Sequence, residues 1–469
     1  MNAIKFIHAA VFLFIPVWTS AQPLSIEQCR MKALQHNRSL AAARVKLEQT
    51  RFDAKAYKAN YYPQINVTAI DLYSLAHGSF EIDGGQLPIY KYVGSESTYV
   101  PDVTENADGT YQLNQYADFP SQTFEWKMKN LFIGNISIVE PIYAGGKIST
   151  AYKMAKLGTR IATENIRLTE SEVIVKTDEA YCLAAKTAEL ADVARSYREM
   201  LEELKKNVEA AMKHGMSTRN DLMKVQVKLN EANLSIQKAE NAHSLAIMNL
   251  CHIIGVPINT SISILPPDTL LADMYPPLAV HDSALSVSSR PEYAMIEQKT
   301  EIARQNIKLA KSDYLPNVSL SASYTYLDGG TLAGRKLANS GAATVALAVN
   351  VPVNIFGGAS AKVNSARAAH QIAQLEQQDL NEKMQLELLQ CQNTFEEAHT
   401  QLNLCQTALL QAAEHVRLSK QQYEVGFEML SNYLESQFLW QQSSANLVEA
   451  RWNLFIAHTR LLKAQGELR

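Results

Sequence analysis

Residues 317–326 read NVSLSASYTY, in which polar and apolar side chains alternate without exception. The apolar positions are Val318, Leu320, Ala322, Tyr324 and Tyr326. Such period-two alternation predicts a β-strand with one apolar and one polar face. Residues 343–354 alternate in the same way, so we expect strands over 317–327 and 343–354. About ten residues suit a tilted strand that crosses a bilayer, although a half-buried sheet of a water-soluble domain would alternate equally well.

Long helices are predicted on the C-terminal side of these strands. From Gly358 onwards, apolar residues follow the alternating four-and-three spacing of a coiled coil. The stripe consists of Met384, Leu388, Cys391, Phe395, Ala398, Leu402, Cys405, Leu409, Ala412, Val416, Ser419 and Tyr423. Gly426 then permits a tight turn, and a return helix over 428–465 completes a helical hairpin with its tip at Gly426. Another helix, over 283–313, is predicted before the strands.

The N-terminal half of the chain repeats the same order of elements. The predicted elements are a helix over 25–61, strands over 64–74 and 132–142, a long helix from Gly146 to Gly215, and a return helix over 217–254. Gly215 marks the tip of this first hairpin. We therefore divide the chain into a first repeat over 22–255, a proline-rich linker over 256–282 and a second repeat over 283–466. The segment 76–130 is predicted to be a long loop.

The first 21 residues have the composition of a secretory signal peptide. Lys5 precedes an apolar run from Phe6 to Trp18, and small residues follow this run. The run is shorter than the roughly 20 residues of a spanning helix, so we favour a cleaved signal over residues 1–21 above a membrane anchor. Since no later run of 18 apolar residues exists, the mature chain is either water-soluble or crosses a membrane as strands.

The composition argues against several functional classes. Lys and Arg number 44 against 47 for Asp and Glu, and the resulting formal charge of −3 argues against nucleic-acid binding. The 5 cysteines include no CxxC pair, and the 11 histidines include no HExxH motif. We therefore predict no catalytic residues, no metal site and no cofactor, and hence a protein that is not an enzyme.

The predicted strands need partners from outside the chain. Four strands cannot close a barrel, and open sheet edges in lipid leave backbone groups without hydrogen bonds. Several copies are therefore required, and this argument allows two chains with eight strands or three chains with twelve. The alternative is a structural or adhesive coiled-coil protein of the envelope without a transport role, which would leave the strands without partners.

The duplicated order of motifs resembles the TolC-like outer-membrane efflux protein family, the outer-membrane factor of tripartite pumps. The resemblance covers about residues 24–466 and includes EPIYAGG over 140–146 and the segment from Val351 to Gly358. It implies an α+β membrane protein that forms a homotrimer. The trimer would have a 12-stranded β-barrel in the outer membrane, and a long α-helical coiled-coil tunnel would continue this barrel into the periplasm. It also implies a passive export duct for efflux or type I secretion. The implied partners are a periplasmic adaptor protein and an inner-membrane pump of the resistance-nodulation-division or ABC type, which open the duct.

The resemblance also implies roles for individual residues near the hairpin tips. Asp221 and Tyr423 match an acidic residue and a tyrosine of the contact that closes the tunnel, here called the tip latch. A phenol that donates to a carboxylate makes a strong hydrogen bond. Glu428 stands where the best-studied member of the family has an arginine of that latch. Glu435 matches the second of two acidic positions at the pore constriction, and Asn432 occupies the first; three copies of Glu435 would form an anionic ring that favours cations.

The remaining candidate positions are the corners at which a strand leads into a long helix. These corner residues are Pro141, Gly145, Gly146, Pro352, Gly357 and Gly358. The run from Ala144 to Lys147 lacks the GxxxxGK[ST] spacing of a phosphate-binding loop. We therefore interpret it as a turn of the backbone and not as a ligand site.

Overall fold

The structure, a computed structural model, describes residues 23–95, 98–265, 287–353 and 356–468. The predicted signal peptide and residues 266–282 of the predicted linker lie outside the described residues. The chain folds into two compact units. One, here the helical unit, comprises Met1–Ala54, Lys153–Ile307 and Ser365–Arg469, and the other, the strand unit, comprises Lys55–Tyr152 and Lys308–Asn364. Each unit therefore takes residues from both halves of the chain.

Long helices dominate the helical unit. The helices are α1 (Ile26–His36), α2 (Arg38–Ala59), α3 (Lys147–Lys213), α4 (Arg219–Ile254), α5 (Pro291–Ser312), α6 (Gly358–Glu424) and α7 (Leu430–Gln465). Both α3 and α6 have 67 residues, which corresponds to about 100 Å at the rise of an α-helix. The predicted long helices and return helices are confirmed. Over the described ranges, none of these helices combines the length and hydrophobicity needed to cross a bilayer.

The first predicted helix, over 25–61, is wrong as a single element, because the chain is extended at Asn37. The Asn37 side chain explains this break. Its Oδ1 accepts a hydrogen bond from the backbone N–H of Ser39 at 2.9 Å, and its Nδ2 donates to the carbonyl of Ile253 at 3.1 Å. Asparagine caps helix N-termini in this way, so α2 begins anew after α1 ends.

The predicted strands are present, and three of them are longer than expected; the last, predicted over 343–354, begins earlier and ends at Asn350. The strands are β1 (Gln64–Tyr73), β2 (His77–Ile82), β3 (Gly85–Pro88), β4 (Tyr90–Val93), β5 (Thr98–Pro101), β6 (Val103–Glu105), β7 (Tyr111–Leu113), β8 (Tyr116–Phe119), β9 (Gln122–Ala144), β10 (Asn317–Leu332) and β11 (Arg335–Asn350). The prediction of a plain loop over 76–130 is wrong, since β2 to β8 and the start of β9 lie there. Its short β-branched and tyrosine-containing runs pair between turn residues, which satisfies their backbone groups.

The main sheet has five antiparallel strands. Its order is β1-β9-β10-β11, and β2 pairs with the first part of β9. Three smaller antiparallel pairs are β3 with β8, β4 with β5, and β6 with β7. Within the described chain, β1 and β11 are the edges of the four-strand path, so each presents a row of backbone groups that another strand could pair with.

Apolar heptad residues form the cores of the helical unit. One cluster joins the predicted stripe of α6 to α7, and its buried members include Met384, Leu388, Phe395, Ala398, Leu454 and Leu461. A second cluster joins the helices that meet near the two tips, and its members include Leu201, Leu204, Leu222, Val225, Tyr433 and Leu434. Residues of the predicted heptad stripe are therefore part of the buried cores.

A buried ion pair ties together three helices of the helical unit. Asp178 of α3 has a side chain that is only 1% exposed, and it accepts hydrogen bonds from Nε and Nη2 of Arg30 at 2.7 and 2.6 Å. Thr459 of α7 donates a third hydrogen bond to Asp178 at 3.0 Å. Burial raises the pKa of the Asp178 carboxyl, and the Arg30 guanidinium opposes this shift. The pair thereby holds α1, α3 and α7 in register.

Candidate functional site

The two hairpin tips close with the same backbone motif. At the end of α3, the N–H of Gly215 donates to Met212 at 3.1 Å and the N–H of Met216 donates to Ala211 at 2.9 Å. At the end of α6, Gly426 donates to Tyr423 and Phe427 to Gln422, at 3.1 and 2.9 Å. Gly215 and Gly426 have φ of 74° and 82°. This is the Schellman arrangement, in which glycine relieves the cost of a left-handed backbone.

The helices that follow the two tips begin in different ways. At the start of α4, Thr218 and Asp221 form a capping box in which each side chain accepts a hydrogen bond from the backbone N–H of the other. At the start of α7, Met429 is the N-cap residue and makes no side-chain hydrogen bond. Asn432 occupies the position on α7 that corresponds to Asp221. The start of α4 is therefore capped by a carboxylate, and the start of α7 is not.

Asp221 is bonded within its own hairpin. Thr218 Oγ1 donates to the Asp221 carboxylate at 2.7 Å, and Lys224 Nζ lies 3.4 Å from it. The Thr218 hydrogen bond is the main cause that lowers the pKa of Asp221 below its usual value. The Tyr423 ring stacks on Tyr433 with 5.4 Å between ring centroids. Burial raises the pKa of Tyr423, with the Asp221 charge as the next cause, so the two latch residues interact electrostatically without a hydrogen bond between them in the described chain.

Glu428 contacts a residue that the sequence analysis placed in the heptad stripe and not in the tip latch. Its carboxylate accepts a hydrogen bond from the hydroxyl of Ser419, which is 2% exposed. Ser419 belongs to the last turns of α6, so this bond crosses the second tip. Thr218, by contrast, was readable from the sequence, because Thr-x-x-Asp before an apolar run is typical of a helix start. The Ser419 bond depends on how the turn folds back, which no local spacing indicates.

The two predicted constriction residues lie on the solvent side of α7. Asn432 and Glu435 are both exposed in the single chain. Glu435 lines a groove of about 570 Å³ between α4 and α7. Its lining residues are Asn220, Met223, Lys224, Val227, Lys228, Glu231, Ser431, Leu434, Glu435 and Phe438. Lys228 lies 5.8 Å from the centre of the Phe438 ring, within the range of a cation–π contact.

Both strand–helix corners are built around glycine. Gly145 and Gly146 have φ of 58° and 78° and directly precede α3. A Cβ atom at Gly145 would lie 2.8 Å from Cβ of Leu315 and 2.9 Å from the carbonyl oxygen of Ser312, so no larger residue fits. Pro141 pairs with Ser319 where the register of β9 and β10 shifts.

The second corner follows β11. Gly357 has a φ of 72°, Gly358 is the first residue of α6, and Pro352 follows the end of β11. The two corners thus place a left-handed glycine immediately before each of the long helices.

The strand register gives the main sheet one apolar and one polar face. Residues directly opposite each other in an antiparallel pair lie on the same side. The apolar face carries Ile65, Val67, Ile136, Ile138, Leu320, Tyr324, Val345, Leu347 and Val349. The polar face carries Asn66, Thr68, Asn135, Ser137, Ser319, Ser321, Ser323, Thr325 and Thr344. On this polar face, Asn135 donates to Oγ1 of Thr325 at 2.7 Å.

On the central strands β9 and β10, the apolar side chains are the exposed ones. Ile136, Leu320 and Tyr324 are 51%, 42% and 51% exposed. Their polar neighbours Asn135 and Ser323 are partly buried. Water-soluble proteins show the reverse pattern, because covering apolar surface is what drives their folding. This face therefore requires an apolar environment outside the chain.

Comparison with known proteins agrees with this geometry. Residues 284–467 match the family described as outer membrane efflux protein. This match covers nearly all of the second repeat. The resemblance to TolC-like efflux proteins drawn from the sequence is thereby confirmed. Members of this family are outer-membrane efflux channels and not enzymes; in the described part of the chain, no group of three or more His, Cys, Asp or Glu could hold a metal ion.

Two curated relatives and one solved structure illustrate the similarity. The chain is 21% identical over 345 residues to the alkaline protease secretion protein AprF of Pseudomonas aeruginosa, across 72% of this chain and 70% of that protein. It is 20% identical over 374 residues to the outer membrane efflux protein BepC of Brucella suis, across 80% and 78% of the two chains. The crystal structure of the outer membrane protein VceC of Vibrio cholerae aligns with a TM-score of 0.70 at 14% identity, covering 94% of this chain and 96% of that one. The structural match shows the shared fold.

Proposed function

We propose that three copies of this chain form a passive export duct in the outer membrane. The strand unit spans the membrane, and the helical unit lies in the periplasm. The duct serves a tripartite efflux system or type I secretion, and the energy for transport comes from an inner-membrane pump. In this proposal residues 1–21 direct export and are removed, and the protein catalyses no reaction itself.

The exposed apolar face of the main sheet carries this proposal. Its rows of Val, Ile and Leu suit contact with lipid chains, whereas the hydroxyl and amide groups of the polar face suit a water-filled interior. Aromatic residues flank the apolar rows. Tyr143 lies opposite Val318 at one end, and at the other end the Phe132 and Tyr326 rings are 6.5 Å apart. Aromatic girdles of this kind mark the two interfaces of membrane-spanning barrels.

Closure of the barrel needs the edges of neighbouring copies. If β11 of one copy pairs with β1 of the next, three copies supply twelve strands from β1, β9, β10 and β11, and no open edge remains in lipid. The family resemblance favours three copies over two. The names of the relatives support both branches of the function, since AprF is named for secretion and BepC for efflux.

The proposed partners act at the hairpin tips. A periplasmic adaptor protein and a pump of the resistance-nodulation-division or ABC type would open the tunnel, and the tip latch of Asp221, Tyr423 and Glu428 would hold it closed. Asn432 and Glu435 would line the constriction. Support for these roles comes from the family resemblance and from the position of all five residues within about three helical turns of the tip glycines.

Fractionation and mass measurement test the proposal. The mature protein should extract with the outer membrane only in detergent, and native mass spectrometry of the detergent complex should give three copies. Purified complexes should conduct ions in a planar bilayer, mostly in a closed state. A monomer that stays in water without detergent would contradict the proposal.

A further inference from the structure

Towards the end of β1, the face of the main sheet that was polar carries apolar side chains, and the other face carries an acidic one. Along most of β1, the polar face carries Asn66 and Thr68 and the apolar face carries Val67. Beyond these positions, Ile70 and Leu72 lie on the polar face, whereas Asp71 lies on the apolar face. Strict alternation continues, but the chemistry of the two sides is reversed.

The register extends this reversal across three strands. Ile70 lies opposite Ile133 of β9, and Ile133 lies opposite Leu327 of β10. Leu72 lies opposite Leu131 in the next row on the same side. We call Ile70, Leu72, Leu131, Ile133 and Leu327 the apolar belt. The belt residues of β9 and β10 are partly buried, and Ile70 and Leu72 of the edge strand are 48% and 46% exposed.

The other side of the sheet is acidic at the same level. Asp71 lies opposite Phe132, and Phe132 lies opposite Asp328. Asp328 pairs with Lys336 at 2.9 Å. Charged groups are costly on a lipid-facing surface, so these residues mark where the lipid-facing rows end. In the proposed trimer, the apolar belt therefore lies on the inner wall of the duct near its outer mouth.

The surroundings of the apolar belt limit what it can contact. The polar face has no charged side chain over 64–72, 131–139, 319–327 and 340–348 of the described sheet. Hydroxyl and amide groups thus lead to a row of aliphatic side chains on β1, β9 and β10. This order suits a molecule with an uncharged polar part and an apolar part, since removing the apolar part from water against aliphatic side chains is favourable.

We propose that the apolar belt is a specificity-determining site at the exit of the duct, and that it binds uncharged amphiphiles in transit. This inference rests on the proposed function, because only the trimeric duct makes the polar face an inner wall. Cargo with an apolar part stays at the belt for a longer time than equally polar cargo without one.

Blocking of the ion current measures this preference. In planar-bilayer recordings of the complete trimer, octyl β-glucoside below its micellar concentration should interrupt the current for longer than glucose. In the Ile133→Thr and Leu327→Thr double variant, the interruptions by octyl β-glucoside should shorten about tenfold, because hydroxyl groups replace aliphatic contacts. The matched control is Val139→Thr, which changes the same face of β9 outside the belt and should leave the interruptions unchanged. Ile70→Thr, on the edge strand, tests the belt separately if the double variant fails to assemble.

The outcomes separate the two proposals. The belt assignment would be wrong if the belt variants form conducting trimers that are blocked like the unmodified protein. It would also be wrong if the Val139→Thr control shows the same loss. Either result would leave the proposed duct intact. A monomeric protein without conductance would overturn the proposed function and the belt with it.

Discussion

The hydrogen-bond partners of Asp221 in the structure differ from the partner that the predicted latch requires. Its carboxylate is already bonded by Thr218 and Lys224, so a bond from Tyr423 must use the remaining lone pairs or replace one of these partners. The Tyr423 phenol makes no hydrogen bond to it in the described chain. A latch formed on closure of the tunnel therefore has to share the Asp221 carboxylate with the capping box.

The capping box makes the first tip sensitive to acid. Because the pKa of Asp221 is lowered from 3.8 in the folded chain, the carboxylate contributes stability above that value and loses it as the pH falls through the folded pKa. Hydrogen-exchange protection of residues 216–224 should therefore stay constant above about pH 5 and decrease as the pH falls through 3.8 and below. Asp221→Asn should remove most of this pH dependence, and an unchanged dependence in that variant would contradict the capping role.

The latch itself predicts a change in gating. If Tyr423 donates to Asp221 when the tunnel is closed, Tyr423→Phe should raise the open probability of the channel about tenfold, since a hydrogen bond to a charged group contributes roughly 1.5–3 kcal/mol. Single-channel recording gives this quantity. Tyr197→Phe is the matched control, because the buried Tyr197 hydroxyl has no hydrogen-bond partner among the described residues. Equal open probability in both variants would remove Tyr423 from the latch.

Substitutions at Glu435 and Asn432 should change the ion selectivity of the channel in opposite directions. Glu435→Gln should reduce the preference for cations, because three negative charges leave the constriction. Asn432→Asp, one helical turn away, should increase that preference. The reversal potential across a potassium chloride gradient measures both effects. A reversal potential that neither variant alters would place the two residues outside the conducting path.

At the scale of elements, the heptad spacing predicted the long helices well, because apolar residues at this spacing form one continuous face only in an α-helix, and another helix can then bury that face. The break at Asn37 escaped prediction for the opposite reason. It depends on the carbonyl of Ile253, which lies far away in the sequence. The short strands between β1 and β9 were also missed, because each is stable only beside a partner that closes the pair.

The ion pair between α1, α3 and α7 predicts a large effect from a single substitution. Asp178→Ala should destabilise the protein by about 3–5 kcal/mol, because it leaves the Arg30 guanidinium in a largely buried place without its partner. Thermal unfolding in detergent measures the loss. The neighbouring pair of Glu179 and Arg460 is the control, since both side chains are more than a third exposed. Glu179→Ala should lower the free energy of unfolding by no more than about 1 kcal/mol. A similar loss of stability in both variants would show that the buried pair contributes no more than the exposed pair.

At the scale of the whole molecule, the sheet predicts which substitutions prevent membrane insertion. Val345 and Thr344 are neighbours on β11, on the apolar and polar faces. Val345→Arg should cost about 2–4 kcal/mol in a lipid-facing position, whereas Thr344→Arg should be tolerated in a water-filled interior. The yield of trimer in the outer-membrane fraction measures the difference. If both variants assemble equally well, the apolar face does not meet lipid.

The sequence by itself determined the elements that local periodicity encodes: the alternating strands, the heptad helices and the glycine turns at their ends. These follow from the spacing of neighbouring residues, because one covered face requires a fixed period in a strand or helix. The tertiary structure decided which face of the sheet is exposed, what Asp221 and Glu428 bond to, and how Ile70, Ile133 and Leu327 come to share one row. Those facts depend on the register between strands and on turns that fold back, and residues distant in the chain meet only when the sheet and the hairpins have formed.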